Sequence, residues 1–200
     1  MTTVLDAFAV IAALAGEAAA PEVEAELRKG DSCINAVNLA EVVDQMIRQA
    51  RRSPGEVEDS LGSLVAGGLD VVPADESIGR LAGGLRARHY DRRTPTISLA
   101  DCVAVATCVL KGATLATADQ PLAAVARKEG VRVLGLPSST GKRPEARLSR
   151  AGRLTKVMAE RVVREGRDSN PGGNVKAPYS LSRRALSTTQ PPPRGGDSRL

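Results

Sequence analysis

Four acidic residues occupy similar positions in the sequence, each close to the point where an apolar run gives way to a helical pattern: Asp6, Glu41, Asp101 and Asp119. If the apolar runs form parallel strands, all four carboxylates lie at one edge of the sheet, where α/β proteins build their sites. Carboxylates gathered in one cleft repel each other, and no Lys or His occurs in the motifs around them. A hard divalent cation resolves this repulsion, and both Mg²⁺ and Mn²⁺ prefer oxygen ligands. The pattern therefore predicts a metal site.

Each acid also has a purely structural explanation. Glu41 comes three residues after Asn38, and Asp101 comes three residues after Ser98, so both pairs fit a capping box. Asp119 precedes Gln-Pro and fits an N-cap, and Asp6 fits the N-cap of the first helix. Taken singly, each residue favours the structural reading. Taken together, four acids at equivalent positions favour a common site.

Strand and helix patterns alternate over the first 137 residues, which predicts an α/β fold with a parallel sheet covered on both faces. The predicted strands are residues 3–5, 32–35, 69–72, 113–117 and 131–134. The predicted helices are residues 7–15, 21–29, 38–52, 54–65, 75–88, a helix from Ser98 to Gly112, and 121–129.

Charge divides the chain into two parts. Residues 1–137 contain 14 Lys and Arg against 18 Asp and Glu, a net charge of −4, whereas residues 138–200 contain 14 against 5, a net charge of +9. We predict a folded domain over 1–137 and a basic tail over 138–200 that begins with a linker at 138–143. Within the tail, residues 145–167 have a helical pattern, and the Pro-, Gly- and Ser-rich remainder is expected to be disordered.

Several protein classes are excluded by composition. The three cysteines are odd in number and form no C-x-x-C pair, so they predict buried side chains in a reducing compartment. Neither a signal peptide nor an apolar run of about 18 residues occurs, and we expect a cytoplasmic protein without membrane contact. The Asp that a haloacid-dehalogenase-type phosphatase needs two residues after Asp6 is replaced by Phe8. A receiver domain needs an acidic pair that the start of the sequence lacks, and no phosphate-binding G-x-x-x-x-G-K-[ST] loop occurs.

The motifs V-L-D6-A-F, N38-L-A-E41-V, S98-L-A-D101-C and L-A-T117-A-D119 resemble, in order and spacing, those of PIN-domain proteins. The greatest similarity is to the VapC-like ribonuclease toxins of bacterial type II toxin–antitoxin modules. The resemblance implies a three-layer α/β/α sandwich and an acidic tetrad of Asp6, Glu41, Asp101 and Asp119 that binds Mg²⁺ or Mn²⁺, with Thr117 beside the last acid.

The resemblance also implies a function and partners. It implies a metal-dependent endoribonuclease with an RNA substrate, a cognate antitoxin and a homodimeric state. The alternative is a PIN-like module that binds RNA or protein without cleaving it. The tail has no counterpart in a compact member of that family.

Basic residues before the Ser98 helix are the candidate RNA contacts. Arg92 and Arg93 are predicted to contact phosphates, together with Arg86 and Arg88 on the preceding helix, although a solvated surface explains all four equally well. His89 is the only histidine and is predicted to lie in a polar loop over 89–96 rather than to act as a general base.

Overall fold

The computed structural model describes residues 1–91 and 97–145. The described part of the chain contains five strands, β1 Thr3–Leu5, β2 Ser32–Asn35, β3 Leu69–Val72, β4 Thr114–Thr117 and β5 Arg132–Gly135. Its helices are α1 Ala7–Ala15, α2 Ala20–Leu27, α3 Ala36–Arg48, α4 Pro54–Ala66, α5 Glu76–His89, α6 Leu99–Lys111 and α7 Gln120–Lys128.

The five strands form one parallel sheet in the order β3-β2-β1-β4-β5. β1 lies at its centre, with Val4 in register with Cys33 of β2 and with Leu115 of β4. Because all strands run the same way, the carboxyl ends of β1, β2 and β4 lie side by side. The predicted α/β class is therefore confirmed.

Helices cover both faces of the sheet, and the alternation of side chains along the strands divides the core in two. Val4, Cys33 and Leu115 pack with residues of α5, α6 and α7 on one face. Their neighbours along the chain, Leu5, Ile34 and Ala116, pack with α1, α2, α3 and α4 on the other. This arrangement is the predicted three-layer α/β/α sandwich.

Helix α6 is the most deeply buried helix of the first face, with every residue from Cys102 to Cys108 buried. It ends at Gly112, whose φ of 63° is the left-handed conformation that glycine adopts readily. β4 begins two residues later, so α6 runs antiparallel to the strands and its first turn lies at their carboxyl ends. All three cysteines are free and buried, as expected for apolar packing.

The start of α3 differs from the prediction. The helix begins at Ala36 rather than Asn38, because Asn35 at the end of β2 accepts a hydrogen bond from the Val37 N–H and caps it. The helix ends at Arg48 rather than Arg52. Arg51 has a φ of 59°, and Ser53 already forms the capping box of α4 with Glu56, so the intervening residues form the connection.

Residues 136–145 follow β5 and remain attached to the domain. The Leu136 N–H donates to the Thr117 carbonyl (2.9 Å), and the Ser138 N–H donates to the Lys142 carbonyl (2.7 Å) to form a turn. Arg143 then pairs with Glu22 of α2. The predicted helix over 145–167 and the predicted disorder beyond it lie outside the described residues, and the domain boundary at 137 stays a prediction.

Among the described residues, no helix has both the length and the apolar character that crossing a membrane requires.

Candidate active site at the carboxyl edge of the sheet

Asp6 follows β1 directly and is 4% exposed. The Ala9 N–H donates to its Oδ1 (2.7 Å), so Asp6 is the N-cap of α1, as the structural alternative predicted. Burial raises the pKa of Asp6 to about 7, against hydrogen bonds from the Thr117 side chain and the Ala9 N–H that lower it. The negative charges of Asp101 and Asp119 raise it further. Asp6 is therefore a buried carboxyl group that faces two other carboxylates.

Asp119 and Thr117 lie at the end of the neighbouring strand, β4. Asp119 is the N-cap of α7 and accepts a hydrogen bond from the Leu122 N–H through Oδ1 (2.6 Å). The fully buried Thr117 hydroxyl accepts from the Asp119 N–H (2.9 Å) and also bonds the Asp6 carboxylate. Thr117 thus links the two acids, and its predicted place beside the last acid is the one that the structure shows.

Asp101 reaches the same edge from a different direction. Ile97 and Ser98, which directly precede α6, lie outside any strand. The antiparallel course of α6 nevertheless brings its first turn to the carboxyl ends of the strands. Asp101 Oδ2 accepts from the Ser98 N–H (2.6 Å) and Ser98 Oγ accepts from the Asp101 N–H (2.9 Å). The predicted capping box is present, and it occupies one of the two carboxylate oxygens.

Glu41 lies in the second turn of α3, beside β2. Because α3 starts at Ala36, the predicted capping box of Asn38 and Glu41 is wrong, and Glu41 has no capping role. Partial burial and the charge of Asp101 raise the pKa of Glu41, while a hydrogen bond from Gln45 (3.1 Å) lowers it. Glu41 is thus the one member of the four without a helix-terminal explanation.

Asp101 is the electrostatic centre of this group. Its charge raises the pKa values of Asp6, Glu41 and Asp119, in each case after the larger contribution of burial. Asp119 shows this effect even though the residue as a whole is exposed, because its carboxyl group is partly buried. None of the four carboxylates forms an ion pair with a described residue. The structure therefore brings the four predicted acids into one uncompensated group, which we call the carboxylate site.

The oxygen ligands of the carboxylate site have the chemistry that suits Mg²⁺ or Mn²⁺. Each cap bond uses a single oxygen of Asp6, Asp101 or Asp119. A bound cation would relieve the repulsion that raises the pKa values of Asp6, Glu41 and Asp119. Nevertheless, within residues 1–91 and 97–145 no three His, Cys, Asp or Glu side chains are arranged as a ready-made metal site. The donor set fits a hard cation by composition and charge.

Two asparagines that the sequence analysis did not assign to the site connect the helices that carry it. Asn35 Nδ2 donates to Thr107 Oγ1 of α6 (3.1 Å), and Asn38 Nδ2 donates to the Ala100 carbonyl of α6 (3.1 Å). Both asparagines are almost fully buried. Asn38 lies one turn before Glu41, and Ala100 precedes Asp101, so this bond sets the spacing of the two acids. A buried asparagine paired with a distant helix leaves no sequence signal of its own.

The basic residues of α5 have partners within the fold, and the predicted phosphate contacts of Arg86 and Arg88 stay a prediction. Arg86 donates to the Ile97 carbonyl (2.6 Å) and lies over the Tyr90 ring, with its guanidinium carbon 4.0 Å from the ring centroid. Arg88 and His89 both contact the buried carboxylate of Glu129. His89 is the last residue of α5 and not a loop residue, because this contact holds it against the domain. Arg86 and Arg88 join elements of the fold. Arg92 and Arg93 lie outside the described residues.

The protein is a parallel-sheet α/β/α sandwich with an acidic site at the carboxyl ends of its central strands. A family model for the PIN domain matches residues 3–128, which is more than half of the chain, and the chain therefore belongs to the PIN-domain family. The predicted family membership is confirmed.

Solved structures agree with this fold. One chain of VapBC2 from Rickettsia felis, crystallised with a DNA fragment from its promoter, is 15% identical with a TM-score of 0.54, over 67% of this chain and 98% of that one. A chain of DNA-bound VapBC from Salmonella typhimurium is 16% identical with a TM-score of 0.53, over 67% and 97%. At these identities the likeness concerns the fold, which is VapC-like. A comparison with curated protein sequences gave no match.

Proposed function

We propose that the chain is a metal-dependent endoribonuclease that hydrolyses RNA phosphodiester bonds, and that it is the toxin of a toxin–antitoxin pair. The observation that carries the proposal is the carboxylate site. In it, the charge of Asp101 raises the pKa values of three other acids, and no basic side chain among the described residues forms an ion pair with any of the four. Repulsion within such a group destabilises the metal-free folded protein. Binding of a cation would explain why the fold brings these acids together.

Asp6, Glu41, Asp101 and Asp119 would hold Mg²⁺ or Mn²⁺, which when bound lowers the pKa of a coordinated water and stabilises charge on a phosphate. Other features of the chain determine the protonation and the orientation of these ligands. Asp6 must give up the proton that its pKa of about 7 lets it keep near neutral pH, since ligands bind in their deprotonated form. Thr117 fixes the orientation of the Asp6 carboxylate, and the Ser98 N–H fixes that of Asp101.

The test compares RNA cleavage by the purified protein in Mg²⁺, in Mn²⁺ and in chelator. We expect new 5′ ends in either metal and none in chelator. Asp101→Asn removes the charge that raises the pKa values of the other three acids. It should reduce cleavage by at least about 100-fold, a loss of about 3 kcal/mol. Asp75→Asn is the control, because the Asp75 carboxylate also accepts a hydrogen bond from a backbone N–H at the start of its helix but lies outside the carboxylate site. Equal cleavage by the two variants, or cleavage in chelator, would contradict the proposal.

One observation favours the alternative of a non-cleaving PIN-like module: among the described residues, no three acids already form a metal site. Such a module would bind RNA or protein equally well in metal and in chelator and would leave the RNA intact. The same experiment separates the two functions, because it measures both bound and cleaved RNA.

We further propose an antitoxin protein as partner, a homodimeric state and a cytoplasmic location. Apolar side chains of α3 and α4 remain partly accessible, with Val65 50% exposed and Val43, Ile47 and Leu64 half-buried. Expression alone and with the protein encoded next to it should give different growth, and light scattering should show a dimer. Equal growth together with a monomer would contradict both partner assignments.

A further inference from the structure

An exposed aromatic ring lies at the end of α5. Tyr90, the C-cap of that helix, is 44% exposed, whereas Phe8, the other aromatic residue within residues 1–91 and 97–145, is partly buried against the core. An aromatic side chain contributes most to stability when it is buried. The accessible part of the Tyr90 side chain contributes little to the fold and is open to a ligand.

Arg86 holds the Tyr90 ring in place. Its guanidinium carbon lies over the ring, 4.0 Å from the centroid, while Nη1 donates to the Ile97 carbonyl (2.6 Å). The Tyr90 N–H also donates to the Arg86 carbonyl (2.9 Å). A planar guanidinium suits both contacts, because it can stack on a ring while its N–H groups donate within its own plane. The ring therefore has a fixed position before any ligand binds.

The Ile97 carbonyl connects the ring to the carboxylate site. It is part of the peptide bond to Ser98, whose N–H donates to Asp101 Oδ2 (2.6 Å). With ordinary covalent bond lengths, this series of contacts places the ring centroid at most about 13 Å from Asp101 Oδ2. Successive nucleotides of a stacked strand are about 3.4 Å apart. A strand with a phosphate at the carboxylate site therefore has a base that can reach the ring within about four nucleotides.

We propose that Tyr90 is a nucleobase-binding platform beside the carboxylate site, on which one base of a single-stranded RNA stacks, and that Arg86 is its positioning residue. The inference rests on the proposed function for the identity of the ligand. Aromatic side chains bind unpaired bases by stacking, and every base offers a face for this contact.

Two observations favour RNA over a protein partner as the occupant of this platform. The ring is connected to Asp101 through Arg86 and the Ile97 carbonyl, so a strand bound at the carboxylate site passes within reach of it. The guanidinium beside the ring also carries a positive charge, which suits a polyanion at a site that is otherwise formed by acids.

The experiment measures binding of a fluorescein-labelled single-stranded RNA by anisotropy in chelator, so no cleavage is required. Tyr90→Leu keeps an apolar side chain and removes the ring, whereas Tyr90→Phe keeps the ring. Val65→Ala is the control, because Val65 is 50% exposed near the end of α4 and therefore lies towards the amino end of β3, at the opposite edge of the sheet. Circular dichroism and melting temperature confirm that each variant folds.

We expect Tyr90→Leu to raise the Kd for RNA about tenfold, as for the loss of one stacked base. The slope of log Kd against log salt should not change, because the ring contacts no phosphate. Tyr90→Phe and Val65→Ala should remain within about twofold of wild type. Arg86→Lys keeps the charge but lacks the planar guanidinium. It should raise the Kd several-fold and add little to Tyr90→Leu, since both changes affect one contact.

A strand without bases separates stacking from support of the fold. The same measurement is made with an abasic ribose-phosphate strand of equal length, which keeps the phosphates of the RNA. Wild type and Tyr90→Leu should bind this strand with Kd values within about twofold of each other, because neither has a base to stack on. A tyrosine that only supported the fold would affect binding of both strands equally.

An equal effect of Tyr90→Leu on both strands, or no effect on RNA, would overturn the inference, and so would a wild-type protein that does not bind RNA. If Tyr90→Leu weakens only the binding of the protein encoded next to this one, the ring is a protein contact and the inference is wrong. If wild type binds RNA through Tyr90 but never cleaves it, the proposed function fails and this inference stands. Metal-dependent cleavage with no effect of Tyr90→Leu on RNA binding gives the reverse.

Discussion

Asp101 shows that a helix cap and a site residue need not be alternatives. Its Oδ2 accepts a hydrogen bond from the N–H of Ser98, the N-cap of α6. Backbone N–H groups at the start of a helix have no partner within the helix. The charge of Asp101 at the same time raises the pKa values of Asp6, Glu41 and Asp119. The two roles predict opposite effects of charge removal on stability, and this difference can be measured.

Asp101→Asn should stabilise the metal-free protein by about 1 kcal/mol, because it removes repulsion that solvent and salt already screen in part. Asp75→Asn should instead destabilise it by about 0.5 kcal/mol, since it only weakens a charged cap at the start of α5. Thermal melts in chelator check both signs. Added Mg²⁺ should raise the melting temperature of wild type and of Asp75→Asn, but not of Asp101→Asn, because a cation stabilises only the state that binds it. A lower, metal-insensitive melting point for Asp101→Asn would leave Asp101 as a cap alone.

Asp6 gives a prediction on pH. Its pKa is about 7 in the folded protein against 3.8 as the ordinary value, so between these pH values the folded state holds a proton that the unfolded chain has released. The stability that this proton contributes is fully present below about pH 4 and is lost as the pH rises through 7.

We therefore expect the free energy of unfolding of Asp6→Asn to increase relative to that of wild type as the pH rises from 5 to 8, by on the order of 2 kcal/mol. Urea unfolding in chelator measures this difference. Asn retains the cap of α1, since its side-chain oxygen can still accept from the Ala9 N–H. Parallel pH curves for the two proteins would show that Asp6 is ionised over the whole range.

At the scale of helices and strands, local signals placed most boundaries but misplaced the start of α3. β1, β2 and β3 have the predicted bounds, because polar residues and glycines delimit short apolar runs. For α3, Asn38 and Glu41 have the spacing of a capping box, yet Asn35 is the cap. Two asparagines three residues apart offer the same local signal. The choice depends on where β2 stops pairing with β3, which is a tertiary property.

The hydrogen bond of Asn38 is a connection between α3 and α6, and its loss should affect the site more than the fold. Asn38→Ala removes the donor to the Ala100 carbonyl and should cost about 1 kcal/mol in stability. Glu41 and Asp101 lie beside this bond. We therefore expect Asn38→Ala to need a several-fold higher Mn²⁺ concentration than wild type for the same rise in melting temperature.

Thr107→Val is the matched control for Asn38→Ala. It removes the hydrogen-bond partner of Asn35, which ends β2 and caps α3, at a position about two turns along α6 from Asp101. It should reduce stability to a similar extent and leave the metal dependence unchanged. If both variants lose metal binding equally, Asn38 has no special role in spacing the acids.

At the scale of the whole molecule, the strand order could not be predicted from the sequence. Alternating strands and helices predicted a parallel sheet, but the placement of β1 between β2 and β4 depends on which faces pack in three dimensions. That placement is what brings Asp6 beside Asp119. The antiparallel course of α6, which brings Asp101 to them, also appears only in the structure.

The end of the domain is a further whole-molecule property. The end of the alternating strand and helix patterns and the change in charge put it at residue 137. The ordered chain continues beyond this point, because Arg143 is held by Glu22 and by the Gly135 carbonyl, and Glu145 is held by Gln120. A chain that ends at residue 145 should match the full-length protein in melting temperature. A chain that ends at 137 should be less stable by about 1 kcal/mol, since the lost hydrogen bonds exceed the entropy cost of ordering eight surface residues only slightly.

Both truncated chains keep Leu136, which is fully buried and bonded to Thr117, so neither should lose cooperative unfolding. Full-length Arg143→Ala is the control and should reproduce part of the difference, because it releases Glu22 and Gly135 without shortening the chain. Differential scanning calorimetry of the four proteins measures the effect. Equal melting temperatures for the chains ending at 137 and 145 would instead place the boundary of the folded domain at residue 137.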